Sequence, residues 1–221
     1  MAITDARAWV EVDLDALRAN YDAIRRRAGE AGVLPMVKAD AYGVGAVRVV
    51  RALEPLGPWG YGVATATEGA VLRGLGVTRP VLVVSPMPAA RMAAAAQQGL
   101  TASISSLDEL DAWAGAAERA DVPATFHVDV DTGMGRSGFD WRGVAAWAPS
   151  IAARTTDRVR WTGVFTHFHS ADVPDAERTR DRWERFGDTL VQLPVPRESL
   201  VVHAAASAAL PASIAPRAVI A

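Results

Sequence analysis

Lys38 constrains the chemistry of this chain more than any other residue. Lysine and arginine together number 23, and every one except Lys38 is arginine. A guanidinium does not give up its proton in practice, whereas an amine can, and a neutral amine condenses with a carbonyl. On that count alone, a functional amine and a chance survivor of an arginine-biased composition are equal readings. The neighbours separate them. Lys38 closes the apolar run Val33-Leu34-Pro35-Met36-Val37 and opens Ala39-Asp40-Ala41-Tyr42-Gly43-Val44-Gly45. An amine at the C-terminal end of an apolar strand lies at the mouth of a parallel barrel, where such folds keep their sites. Gly43 and Gly45 let backbone N–H groups approach an anion.

A second group of chemistry-bearing residues lies between Phe126 and Gly138. Strand alternation puts His127, Asp129 and Asp131 on one face and Phe126, Val128 and Val130 on the other. Gly133, Gly135 and Gly138 satisfy a dinucleotide-binding fingerprint by letter. That fingerprint needs an acidic residue about 20 positions on, at the end of the next strand. Asp157 has the right count but precedes the strand, so the reading is rejected. Arg136 in this loop is either a surface arginine or a planar fork for an anion such as a carboxylate. Ser207, at the start of a late helical turn, offers a hydroxyl and nearby N–H groups to a phosphate. His127, His169 and His203 have no carboxylate or cysteine spacing beside them, and structural histidines are expected rather than a metal site.

Composition excludes several classes. The formal charge is −2 with a pI near 6.1, so no basic field is available for a nucleic-acid partner. Half the residues are hydrophobic, too many for a disordered chain. The absence of cysteine removes disulfides and thiolate chemistry. The opening MAITDARAWVEVDL lacks the layout of a signal peptide, and no apolar run is long enough for a bilayer. A cytoplasmic protein without a membrane partner is the expectation.

The elements that must position these residues alternate. Strands are expected at 33–38, 60–64, 80–84, 100–104, 124–130, 159–165 and 200–203. Helices are expected at 14–28, 45–56, 67–75, 89–98, 107–119, 143–153 and 175–193. Strands separated by helices form right-handed parallel βαβ units. The pattern predicts an α/β fold, either a TIM-type (β/α)8 barrel one strand short or an open doubly wound sheet. Barrels of that type take roughly 250 residues, so this one ends early, on Ala218-Val219-Ile220. Residues 1–221 read as one domain.

VKADAYGVG, beginning at Val37, resembles the cofactor-lysine motif of the alanine racemase family. Three further segments match in family order: FHVDVDTGMGRSG from Phe126, GVFTHFHSAD from Gly163 and HAAASAA from His203. The opening WVEVDLDALRAN from Trp9 is similar too. The resemblance implies a pyridoxal 5'-phosphate (PLP) enzyme with an eight-stranded barrel, truncated here before its last strand, and a C-terminal β-domain that is not present. It implies racemisation of alanine by two-base proton transfer at Cα, supplying D-alanine for peptidoglycan, in a homodimer.

By that resemblance Lys38 holds the PLP aldehyde and is one of the two bases. Tyr42 and Ser207 contact the cofactor phosphate, His167 packs on the pyridine face, and Arg136 lies near the phenolate oxygen and the substrate carboxylate. Asp129 stands where many relatives carry a carbamylated lysine, and it is expected to orient Arg136. Val44 and Ala206 replace a common histidine and asparagine. The family's second base, a tyrosine, belongs to the C-terminal domain, so this form is expected to be impaired. A non-catalytic PLP-binding or homeostasis protein, a broad-specificity racemase, and a D-amino-acid aldolase or dehydratase are the alternatives.

Overall fold

The computed structural model describes residues 8–168 and 176–204. Its centre is a parallel sheet of β1 (Tyr61–Val63), β2 (Val81–Val83), β3 (Thr101–Ile104), β4 (Ala124–Asp131), β6 (Val159–Phe165) and β7 (Val201–His203), paired in that order. A short β5 (Phe139–Asp140) pairs with the end of β4. Strands β1, β2 and β3 are buried along their whole length, as a parallel sheet covered on both faces requires.

Helices α4 (Ala66–Gly74), α5 (Ala89–Gln97), α6 (Leu107–Ala120) and α7 (Val144–Arg154) connect the strands in sequence and pack outside them. In α6, Leu110, Trp113, Ala116 and Ala117 recur at three- and four-residue spacing and are fully buried, giving one core-facing stripe. Ala95 and Ala96 of α5 are buried too, and their small side chains let α5 pack closely on α6. Helix α1 (Leu14–Ala28) starts at Asp13, whose Oδ1 accepts the N–H groups of Asp15 and Ala16 at 2.9 Å. It packs on α3 (Ala46–Leu53). Helix α8 (Ala176–Val191) lies between β6 and β7, and its Arg185 pairs with Asp181 one turn earlier.

The sheet curls back on itself. Residues Val33–Val37 beside β1 line the same cavity as Phe165, His203 and Ala204 at the ends of β6 and β7. Side chains also meet across the interior: Trp59, just before β1, lies 6.3 Å from His127 on β4, and His127 touches His203 on β7. An α/β barrel-type sheet is therefore observed, and the doubly wound alternative falls.

One expected strand is corrected. Residues 33–38 run beside β1 but join it only through a bridge between Met36 and Gly62. Val37 N–H donates to Gly62 O and Gly62 N–H to Pro35 O, at 2.8 and 2.9 Å. Pro35 has no N–H to extend the ladder, and the left-handed turn after Val37 ends it.

Candidate active site

Lys38 begins a turn of unusual hand. In α2 (Lys38–Tyr42), the residues Ala39, Asp40, Ala41 and Tyr42 have φ between 50° and 56°. Left-handed helical backbone costs L-residues roughly 1–2 kcal/mol each, so the turn must be held by its surroundings. Ala39 N–H donates to Glu68 Oε1 at 2.8 Å. Asp40 Oδ1 accepts Ala46 N–H at 2.7 Å and caps α3, while Asp40 O accepts Gly45 N–H at 2.8 Å. Glu68 is itself fixed, since its Oε2 accepts from Ala64 and Thr65 in the capping box of α4. Strain fixed in this way is typical of functional segments. It sets Lys38 half-buried, with Nζ 5.9 Å from the centroid of the Tyr42 ring. Tyr42 stands 65% exposed at the rim.

Arg136 rides on the loop after β4. Asp131 Oδ1 accepts the N–H groups of Gly133, Met134 and Gly135 at 2.8, 2.8 and 3.1 Å. These amides are engaged with a carboxylate, so the loop does not cradle phosphate as a dinucleotide fingerprint would. Gly138 has φ +110, and a Cβ there would meet Asp131 N at 2.7 Å. From α8, Arg185 Nη1 donates to Thr132 O at 3.0 Å and Arg182 Nη2 to Gly133 O at 3.3 Å. Thr132 and Thr166 share a buried hydroxyl–hydroxyl bond of 2.8 Å, which joins the root of this loop to the residue before His167.

Asp129 is buried on the inner face of β4. Ser137 Oγ donates to its Oδ2 at 2.8 Å, and Ser105 Oγ approaches at 3.5 Å. Burial pushes its carboxyl up to about 6, against the opposing effects of the Ser137 bond and the Arg136 charge. Arg136 thus acts on Asp129 through its field, while the hydroxyls of Ser137 and Ser105 make the direct contacts.

The elements bring Lys38, Tyr42, Arg136 and His167, at the C-terminal ends of the strands, to the wall of one cavity of about 590 Å³ that extends along residues 33–37 to Leu17 and Ile24 of α1 and Leu53 of α3. Asp129 lies beside it, on a smaller hollow shared with Arg136 and His167. Ser207 and His169 fall outside the described residues. Among the described residues no three His, Cys, Asp or Glu side chains converge as metal ligands, and no helix is long and apolar enough to cross a membrane. Sequence reasoning missed Glu68, Thr132, Thr166 and Arg185. The capping box Thr65-x-x-Glu68 was readable as a helix start, but not its reach to Ala39.

A parallel β/α barrel-type sheet with an amine, a guanidinium and an imidazole gathered at its C-terminal mouth defines the class of protein. The chain matches the family model described as "Alanine racemase, N-terminal domain" over residues 12–218, and it belongs to that family. It is 41% identical over 178 residues to an alanine racemase of Cutibacterium acnes, covering 79% of this chain and 47% of that protein. Against an alanine racemase of Syntrophobacter fumaroxidans it is 34% identical over 206 residues, covering 93% and 54%. A solved alanine racemase of Clostridium difficile 630 superposes with a TM-score of 0.87 at 27% identity, covering 98% of this chain and 58% of that one. The chain spans about half the length of the curated relatives it matches.

Proposed function

We infer that this chain is the barrel part of a PLP-dependent racemase that interconverts L- and D-alanine. One observation carries the reading: the sole lysine shares a cavity wall with Arg136 and His167. The cavity fits the cofactor in size and chemistry. About 590 Å³ lies within the range of small-molecule sites. The wall offers an amine for an aldehyde, a guanidinium for an anionic oxygen, and aromatic side chains for a planar ring. When bound, PLP supplies an electron sink that acidifies the Cα–H of an attached amino acid.

The chain's own residues do the rest. Lys38 would hold the aldehyde until the substrate amine displaces it, and its freed Nζ would then take or give a proton at Cα. Arg136 would hold the substrate carboxylate through its fork and supply positive charge to the cofactor's anionic oxygen. Asp129, ionised, orients Arg136 as the field of a fixed anion would. By the family resemblance, His167 would hold the ring, and Tyr42 with Ser207 would hold the phosphate. The opposite-face base is not assigned among the described residues. We place the enzyme in the cytoplasm as a homodimer supplying D-alanine for peptidoglycan.

The test is proton exchange. Purified chain with PLP is given L- or D-alanine in D₂O, and loss of the Cα–H signal is followed by NMR. Exchange with at least one enantiomer is expected. A holoprotein spectrum with no exchange for either enantiomer would instead support the non-catalytic PLP-binding reading.

A further inference from the structure

Strands β4 and β6 lead to Arg136 and His167, and their backbones part just before reaching them. The β4–β6 ladder ends at the pair Asp129–Phe165. Past that point Val130 and Asp131 pair with Phe139 and Asp140 of β5. Thr132 is the first residue after β4, and Thr166 is the first after β6. Both are buried, and their Oγ1 atoms lie 2.8 Å apart. A hydroxyl both donates and accepts, so this bond forms whichever oxygen supplies the hydrogen. Where the backbone ladder stops, a side-chain bond continues the join between the two strands.

Each threonine is also fixed from a second direction. Thr132 O accepts from Arg185 Nη1 of α8 at 3.0 Å, and Thr166 N–H donates to His203 O of β7 at 3.3 Å. Thr132 lies four residues before Arg136, and Asp131 gathers the N–H groups of Gly133, Met134 and Gly135 between them. A shift at Thr132 therefore moves the loop as a body. Thr166 directly precedes His167, and it lines both the Lys38 cavity and the smaller hollow that Arg136 and His167 share beside Asp129. Stability alone does not call for this pair. Two buried hydroxyls that bond each other gain little over apolar groups filling the same space. What they add is a fixed separation between the two segments.

We propose that Thr132 and Thr166 are positioning residues: their bond sets the separation of the Arg136 loop from His167, so that the guanidinium and the imidazole meet one bound ring as a pair of fixed spacing. The proposal rests on the PLP reading for the identity of that ring. The coupling of the two segments does not depend on it.

Three variants test it. Thr166→Ala removes one hydroxyl and leaves that of Thr132 buried without its partner, so the urea midpoint should fall. Adding Thr132→Val removes the stranded hydroxyl and refills the space, so the midpoint should recover toward the parent. Thr132→Ser keeps the bond. Amide hydrogen exchange is read without cofactor and referred to the amides of Val81–Val83. At Gly133–Gly135 it should quicken about fivefold in the double variant, the worth of one net hydrogen bond, and stay near the parent rate in Thr132→Ser. PLP affinity, titrated by absorbance, should fall about tenfold in the double variant and less than about twofold in Thr132→Ser. A merely structural pair would let affinity recover with the midpoint, so a double variant that binds PLP as the parent does overturns the proposal. Unchanged exchange at Gly133–Gly135 in the double variant overturns the coupling of the two segments. Failure of the parent to bind PLP refutes the cofactor reading, and the exchange rates then decide the coupling alone.

Discussion

Glu68 Oε1 accepts the backbone N–H of Ala39 at 2.8 Å, which ties the N-terminus of α4 to the residue directly after Lys38. One carboxylate thus closes a capping box and holds a left-handed turn. Glu68→Ala removes both and should cost about 2–3 kcal/mol, measured as a lower urea midpoint. Glu68→Gln can accept from only one side, and should fall between. Lys38 in the alanine variant should capture PLP more weakly than in the parent. Unchanged stability in Glu68→Ala would show that the turn is held without it.

Asp129 predicts a pH dependence with a defined sign. Its folded carboxyl is raised to about 6, above the usual carboxylate range. Its contribution to stability is complete below about pH 4 and is lost as pH rises through about 6, amounting to about 3 kcal/mol at most. Orientation of Arg136 needs the charged form, so PLP affinity should rise over the same interval. Asp129→Asn should be at least as stable as the parent at pH 8 yet bind PLP more weakly, without the inflection near 6. An Asn variant that keeps the inflection would assign it to another group.

Burial gives the pair of His127 and His203 the opposite sign. Its folded pKa values lie below the unfolded one, so its contribution is present above about 6.5 and is lost as pH falls toward about 3. Two such groups give a slope of about 2.7 kcal/mol per pH unit, partly offset by Asp129 between about pH 4 and 6. His127→Phe combined with His203→Phe should leave the midpoint at pH 7.5 nearly unchanged and flatten this slope. An equally steep acid loss in the double variant would locate the acid sensitivity elsewhere.

Arg185 bonds Thr132 O, pairs with Asp181 and lies over Trp141 at 5.3 Å. Arg185→Ala should loosen the loop that carries Arg136, by about 1–2 kcal/mol. Amide hydrogen exchange at Gly133–Gly135 should quicken roughly tenfold, with Arg185→Lys intermediate. Exchange at the parent rate would show that Asp131 alone holds the loop.

Most of the sheet was legible in the sequence, because short apolar runs such as Val81–Val83 are separated by periodic helices that can only cross over to a parallel neighbour. The run 33–38 misled because its apolar residues carry a proline that cannot donate to a ladder. The turn after Lys38 was visible in Gly43 and Gly45, but its left-handed stretch lies on Ala39, Asp40, Ala41 and Tyr42, which no propensity marks for that conformation. Asp129 was readable as an inward charge, but its Ser105 partner comes from just beyond the end of β3. The His127–His203 bond spans 76 residues and depends on the curl of the sheet. Local pattern carries none of that.

Borohydride trapping decides whether Lys38 Nζ is the amine that captures the cofactor. The chain is incubated with PLP, reduced, digested and analysed by mass spectrometry. One pyridoxyl adduct is expected, on the peptide containing Val37-Lys38-Ala39, accompanied by loss of the long-wavelength absorbance and absent in Lys38→Arg. A saturable PLP band that survives in Lys38→Arg, or an adduct confined to the N-terminal amine, would contradict it.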